Sequence, residues 1–164
     1  MTVKDGVREI RLALVASPGG HIYEMCLLKE FWQKHDRFWI TFDSSDTRDL
    51  LEGERVHWVP PMPRYPGQVW RSFYQYCRAL IQCVRIFRRE RPSVIVSIGA
   101  NVGASAIHAA KLLRIKTIYI ELSGRIENLS LTGKMVYPVV DHFLVQWPEL
   151  AKRYRRTRYE GRTI

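Results

Sequence analysis

The chain has 164 residues, of which 46% are hydrophobic and 12% aromatic, and it carries a formal net charge of +10. That composition is that of a globular chain, not a disordered one, and is sufficient for one domain, residues 1–164, with a sizeable core. The positive balance implies an anionic partner: nucleic acid, an anionic membrane surface or a phosphorylated substrate.

The first residues, MTVKDGVREIR, are charged and lack the apolar centre of a signal peptide, and no apolar run reaches the length of a membrane span. A cytoplasmic location is therefore expected. Residues 10–17, IRLALVAS, read as a buried strand. A helical pattern follows, with Ile22, Met25, Leu28, Phe31 and Trp32 recurring every three or four residues. Residues 37–42 and 55–59 read as two further strands. Pro60-Pro61-Met62-Pro63-Arg64-Tyr65-Pro66-Gly67 is incompatible with regular helix or central strand. A long helix is expected over 67–90. Strands at 93–98, 115–120 and 141–146 alternate with helices at 103–113 and 129–137. This alternation predicts an α/β fold, a Rossmann-like parallel sheet with helices on both faces. Cys26, Cys77 and Cys83 lie in apolar, helix-like stretches. An odd number without close pairing fits neither a disulfide framework nor a zinc site, and reduced thiols are expected.

In such sheets ligands collect at the carboxyl ends of the strands. Three loops there are informative: 17–21, 99–103 and 121–134. In the first, Ser17-Pro18-Gly19-Gly20-His21 follows a strand and opens a helix, so backbone N–H groups can face an anion. The G-x-G-x-x-G dinucleotide pattern fails, because Gly19 and Gly20 are adjacent and no third glycine follows in register. Asp43 nevertheless ends the second strand near the distance of a ribose-binding acid. A Walker loop is absent. His21 is placed to act as a general base or to donate to a phosphate, or it is simply a polar side chain at a helix start. The second loop, with Gly99, Asn101 and Gly103, repeats the strand–glycine–helix arrangement, and the two loops are expected to form a joint phosphate cradle. Glu121, directly after a strand, suits deprotonation of an acceptor hydroxyl or orientation of a sugar, and equally an ion pair with one of many arginines.

Within the long helix, Trp70, Phe73, Cys77, Leu80, Val84 and Phe87 form one apolar face. Arg71, Arg78 and Arg85 repeat every seven residues beside it, and Arg88, Arg89 and Arg91 close the segment. A helix of this kind lies on a membrane surface with its arginines on lipid phosphates, or packs on the sheet with a solvated basic face. The two combine if the C-terminal part packs while the Trp70/Tyr74 end and the proline loop touch lipid. Lys152, Arg153, Arg155, Arg156 and Arg158 make a second basic cluster. No nucleic-acid recognition module is apparent.

Three segments, SPGGH with its following helix, SIGANVG, and the stretch ELSGRIENLSLTGKMVYPVVDHFLVQWPEL at 121–150, together resemble bacterial PssD-type exopolysaccharide glycosyltransferase subunits. These are similar to the membrane-anchoring subunit of the dolichol-pathway N-acetylglucosamine transferase. The glycine loops are also similar to those of the peptidoglycan enzyme that makes lipid II, a two-domain GT-B glycosyltransferase, although Pro18 stands where a richer glycine run is common. The resemblance implies the N-terminal, acceptor-binding half of a GT-B enzyme, with a separate polypeptide supplying the donor half. It implies transfer from a UDP-sugar to a polyprenyl-diphosphate-linked sugar at the cytoplasmic membrane face, with no metal or other cofactor. By position, Gly19, Gly20 and His21 match the first loop of the family, Gly99, Asn101 and Gly103 the second, and Glu121 the acidic residue after the fifth strand. The PssD-type likeness suggests glucuronate as the transferred sugar; glucose, galactose and N-acetylglucosamine fit equally. The sequence shows no N-terminal span of the kind the dolichol-pathway subunit has, so peripheral anchorage by residues 60–91, the proline loop and basic aromatic helix, is expected. Two rivals remain: a non-catalytic membrane scaffold that activates the donor subunit, and a dinucleotide-binding Rossmann protein.

Overall fold

A computed structural model describes residues 10–61, 68–99 and 101–163. Most of the proline loop (62–67), Ala100 and the first nine residues lie outside the described residues. The chain runs β1 (Arg11–Ala16), α1 (Gly20–Leu27), α2 (Lys29–Trp32), β2 (Asp36–Phe42), α3 (Ser45–Leu50), β3 (Val56–Val59) and α4 (Val69–Glu90). It continues through β4 (Val94–Ile98), α5 (Asn101–Leu112), β5 (Lys116–Ile120), α6 (Leu131–Val136), β6 (His142–Val145), α7 (Pro148–Arg153) and β7 (Thr157–Tyr159).

The seven strands form one sheet in the order β3-β2-β1-β4-β5-β6-β7, and every neighbouring pair is parallel. The expected Rossmann-like fold is therefore present. Its central strands are apolar on both faces, as a sheet covered from two sides requires. Ala13, Val15, Phe38, Ile40, Ile95 and Tyr119 meet α4 and α5 on one face. Leu12, Leu14, Trp39, Val96 and Ile98 meet Ile22, Met25 and Trp32 on the other. The order of strand addition reverses between β1 and β4, the position at which α/β sheets open a crevice at their carboxyl edge.

Several local expectations change. The helix after β1 breaks at Leu28 into two pieces, and Phe31, expected on the buried face, is exposed. Helix α3 escapes a search for apolar periodicity because it is short and polar; a reciprocal capping box between Ser44 and Thr47 holds it. In α4 the buried stripe runs through Ala79, Cys83, Ile86, Phe87 and Glu90. Of the apolar face read from sequence, only Phe87 is fully buried; Trp70 is 84% exposed and Phe73 58%. At about 100° per residue, Trp70, Phe73, Tyr74, Cys77 and Ile81 fall on a second stripe, flanked by Arg71, Arg78 and Arg85. The helix thus has a core-facing C-terminal half and an outward aromatic N-terminal half. Of the C-terminal basic cluster, Lys152 and Arg153 end α7, Arg158 lies in β7, and Arg155 and Arg156 sit in the turn between them; Arg156 is absorbed structurally, donating to the carbonyls of Pro138 and Val140.

Among the described residues no helix is long and apolar enough to cross a membrane. Cys83 is buried, which pushes its thiol up to about 12, while Cys26 and Cys77 are half-buried; all three are free.

Candidate functional site

A cavity of about 310 Å³ opens at the carboxyl edge of the sheet. Ser17 and His21 reach it from the β1–α1 connection, Phe42 from the end of β2, and Asn101 from the start of α5. The opposite wall is the 121–132 segment, including Glu121, Arg125 and Ser130. Four of the polar residues singled out by sequence (Ser17, His21, Asn101 and Glu121) therefore converge, although they come from three separate loops.

His21 is held by two contacts. Its Nδ1 lies 3.1 Å from Ser17 Oγ, and its Nε2–Cδ2 edge lies over Gly99. Gly99 has φ +55°, and a Cβ built there would enter the imidazole. Glycine is required at 99 both for the left-handed backbone and for the ring's seat. Burial lowers the His21 pKa from its ordinary value of 6.5; Glu24 opposes that shift and Arg125 adds to it. A neutral imidazole at pH 7 is the protonation state a general base needs.

Glu121 is completely buried. One carboxylate oxygen accepts from Ser130 N (2.9 Å) and Ser130 Oγ (3.1 Å); the other accepts from Leu122 N (3.1 Å) and Tyr119 Oη (3.4 Å). Burial raises its pKa, while the hydrogen bonds from Ser130 and Leu122 and the nearby Arg125 lower it. Ser130 caps the start of α6, and a Cβ at Gly133 would meet the same carboxylate. The arginine pairing considered for Glu121 does not occur among the described ion pairs. Its oxygens are committed to the segment that forms the cavity wall.

The glycines divide. Gly19 (φ +81°) and Gly20 have nothing within contact distance of a built Cβ and stay open to solvent. Gly103 is different. It is buried in α5, and its missing side chain leaves the space taken by Ser97 Oγ on β4. The close approach there joins helix to strand. Asp43 also resolves: both its oxygens are held by Arg48, at 2.6 and 2.7 Å. That ion pair occupies the carboxylate that a ribose would need.

Two site residues escaped the sequence reading. Arg125 contributes the cationic side chain to the cavity lining among the described residues. Its position in the loop after a strand's carboxyl end was the available signal. Glu24, one helical turn beyond His21, is buried and accepts from Ser123 N and Oγ and from Gln146 Nε2. Those partners lie far along the chain and leave no local pattern. Among the described residues no cluster of three or more His, Cys, Asp or Glu side chains is placed to hold a metal ion. The α4 residues Trp70, Arg71, Tyr74, Arg78, Arg85, Arg88 and Arg89 are exposed and take no part in the cavity lining.

Residues 12–163 match the family described as "Oligosaccharide biosynthesis protein Alg14 like". The chain belongs to the Alg14-like family. A relative named UDP-N-acetylglucosamine transferase subunit ALG14, from Yarrowia lipolytica, is 37% identical over 103 residues, which is 59% of this chain and 46% of the relative. The matched region of this Alg14-like chain thus spans about half the length of that relative. Among solved structures, Acinetobacter baumannii MurG superposes with a TM-score of 0.70 at 16% identity, over 85% of this chain and 42% of MurG. A UDP-N-acetylglucosamine 2-epimerase superposes with a TM-score of 0.75 at 12% identity, over 94% of this chain and 49% of the epimerase. Those likenesses establish the fold: the Alg14-like chain has the architecture of about half of each larger protein.

Proposed function

We propose that this chain is the acceptor-side subunit of a two-component GT-B glycosyltransferase that works at a membrane face. The observation that carries the proposal is the convergence of a neutral, Ser17-held His21 with Asn101 and Arg125 on one carboxyl-edge cavity. In that site the acceptor diphosphate meets the open Gly19–Gly20 backbone and the Arg125 guanidinium. His21 accepts the proton of the attacking hydroxyl as it bonds to the anomeric carbon and UDP departs. Glu121 acts through the wall it ties down rather than on the acceptor. The donor half, with most of the UDP-sugar contacts, belongs to a separate subunit. The similarity to a relative named for UDP-N-acetylglucosamine favours that donor over UDP-glucuronate. A polyprenyl-diphosphate-linked sugar in polysaccharide or oligosaccharide synthesis is the acceptor class that fits both the diphosphate cradle and an aromatic-basic helix.

The outward stripe of α4 supports peripheral binding to the cytoplasmic face: aromatic rings suit the acyl boundary and arginines suit lipid phosphates. The same stripe supports the scaffold reading, in which the chain recruits and activates the donor subunit without taking part in chemistry.

Reconstitution separates the two. With the donor subunit, UDP-N-acetylglucosamine and a prenyl-diphosphate-linked sugar, His21→Ala is expected to lower turnover by about a hundred- to ten-thousand-fold while leaving complex formation unchanged. Full transfer by His21→Ala would leave only the scaffold role. Trp70→Ala with Tyr74→Ala is expected to reduce sedimentation with anionic vesicles without changing turnover on a soluble acceptor.

A further inference from the structure

We propose that Glu24 is a positioning residue of the carboxyl-edge cavity, set in a hydrogen-bond network whose donor–acceptor polarity only a carboxylate at that position completes. The proposal rests on taking the cavity as the functional site.

Glu24 Oε1 accepts from Ser123 N (3.1 Å) and Ser123 Oγ (2.5 Å), while Oε2 accepts from Gln146 Nε2 (2.7 Å) and shares the Ser123 N–H at 3.3 Å. Among the described residues no ion pair involves this buried carboxylate. Its charge is carried by uncharged donors that lie 99 and 122 residues along the chain. Such an arrangement is costly to build unless every donor is aimed correctly.

The aim is fixed from the far side. Gln146 Oε1 accepts from Thr163 N (2.9 Å) and Thr163 Oγ1 (2.7 Å), while its Nε2 also donates to the Glu121 carbonyl (3.1 Å). A backbone N–H only donates and a backbone carbonyl only accepts, so the Gln146 amide cannot flip without losing both. Glu24 therefore faces an N–H at Gln146 and another N–H at Ser123. Three donors converge on the two oxygens, the Ser123 N–H lying between them. An amide at position 24 either sets its NH2 against Gln146 Nε2, or sets it beside the Ser123 N–H and turns the Ser123 hydroxyl from donor to acceptor.

The neighbouring residue reinforces the arrangement. Trp147 Nε1 donates to the Ser123 carbonyl at 2.6 Å, and Arg162 lies 3.7 Å over the indole. Ser123 is thereby held through its N–H, its hydroxyl and its carbonyl. Arg125 follows two residues later on the cavity wall, and His21 precedes Glu24 by one helical turn. A single carboxylate thus sets the spacing between the imidazole on α1 and the guanidinium across the cavity. The charged groups that face His21 are Glu24 on its own helix and Arg125 and Glu121 from the opposite segment. Of these, Glu24 raises the imidazole's pKa against the lowering by burial.

The test uses the full isotope-labelled chain and its Glu24→Gln, Glu24→Asp and Ser123→Ala variants. Amide exchange over residues 122–130, the His21 imidazole titration and binding of inorganic pyrophosphate are followed by NMR. Glu24→Gln is expected to melt cooperatively, to exchange about tenfold or more faster at Ser123, and to titrate His21 at lower pH than the native chain. Its pyrophosphate affinity should fall. Glu24→Asp, which keeps two acceptors on a shorter arm, should recover part of each effect. A cooperatively folded Glu24→Gln with native exchange at Ser123 and a native His21 titration would overturn the proposal. If Glu24→Gln does not fold, Ser123→Ala, which deletes one hydroxyl, is expected to show faster exchange over the same segment, and native exchange there overturns the proposal equally. Pyrophosphate that fails to bind the native chain counts against the functional reading of the cavity, while exchange and titration still decide the positioning role.

Discussion

The first and second glycine loops look alike in sequence, each a glycine-containing turn between a strand and a helix, yet they use glycine in opposite ways. Around Gly19 and Gly20 the space is empty, so backbone can be approached from outside. Around Gly99 and Gly103 the space is filled from within, by the His21 ring and by Ser97 Oγ. The first loop leaves its room open. The second spends its room on seating the histidine and docking α5 against β4. A glycine motif alone does not say which of these applies; the neighbouring side chains do.

That contrast gives a graded set of substitutions. Gly99→Ala should be the most disruptive, because it combines a positive φ with a clash against the imidazole. A loss of about 2–4 kcal/mol in denaturant unfolding is expected, together with a displaced His21 signal in NMR spectra. Gly103→Ala should cost about 1–3 kcal/mol by overpacking. Most of that should return in the Ser97→Ala/Gly103→Ala double variant, since Ser97 Oγ is both the clashing atom and a buried hydroxyl with no hydrogen-bond partner. A double-mutant cycle on midpoints reads the coupling, and simple additivity would sink this account of Gly103. Gly20→Ala should change stability by less than about 1 kcal/mol while weakening pyrophosphate binding. Native binding by this variant would mean that the open loop is not where the anion sits.

The smallest expected effect concerns pH. His21 has its pKa lowered on folding, so below the ordinary value of 6.5 the unfolded chain takes up a proton more readily than the folded one. Its contribution to stability is complete above pH 6.5 and is lost as pH falls through the folded-state value. Melting temperatures of the native chain and His21→Gln should therefore run parallel above pH 6.5 and converge or cross below it. Parallel curves throughout would show that the imidazole is not held neutral by its surroundings.

Much of the scaffold could be read from one sequence. The six strands seen as apolar runs all formed within a residue or so of their expected limits, because buried parallel strands are locally apolar without interruption. The seventh, Thr157–Tyr159, is three residues long inside a basic stretch and carries no such signal. The site was legible in part for the same reason. Ser17, His21, Asn101 and Glu121 sit where strands end, a position that topology assigns to ligands. Glu24 and Arg125 were not singled out, because one depends on Ser123 and Gln146 and the other on a wall folded back over the sheet. The α4 face was misdrawn because two apolar stripes on one helix blur into one when only spacing is counted.

Helix α4 is a single unbroken rod from Val69 to Glu90, with its aromatic end outward and its far end locked into the core. At about 1.5 Å per residue, Trp70 stands roughly 25 Å along the axis from Phe87. A flexible tether of that length would let a docked surface wander over a wide range of heights and tilts. A rigid strut does not. For any surface that grips Trp70 and Tyr74, stand-off distance and angle become constants of the fold, as fixed as the spacing of the strands.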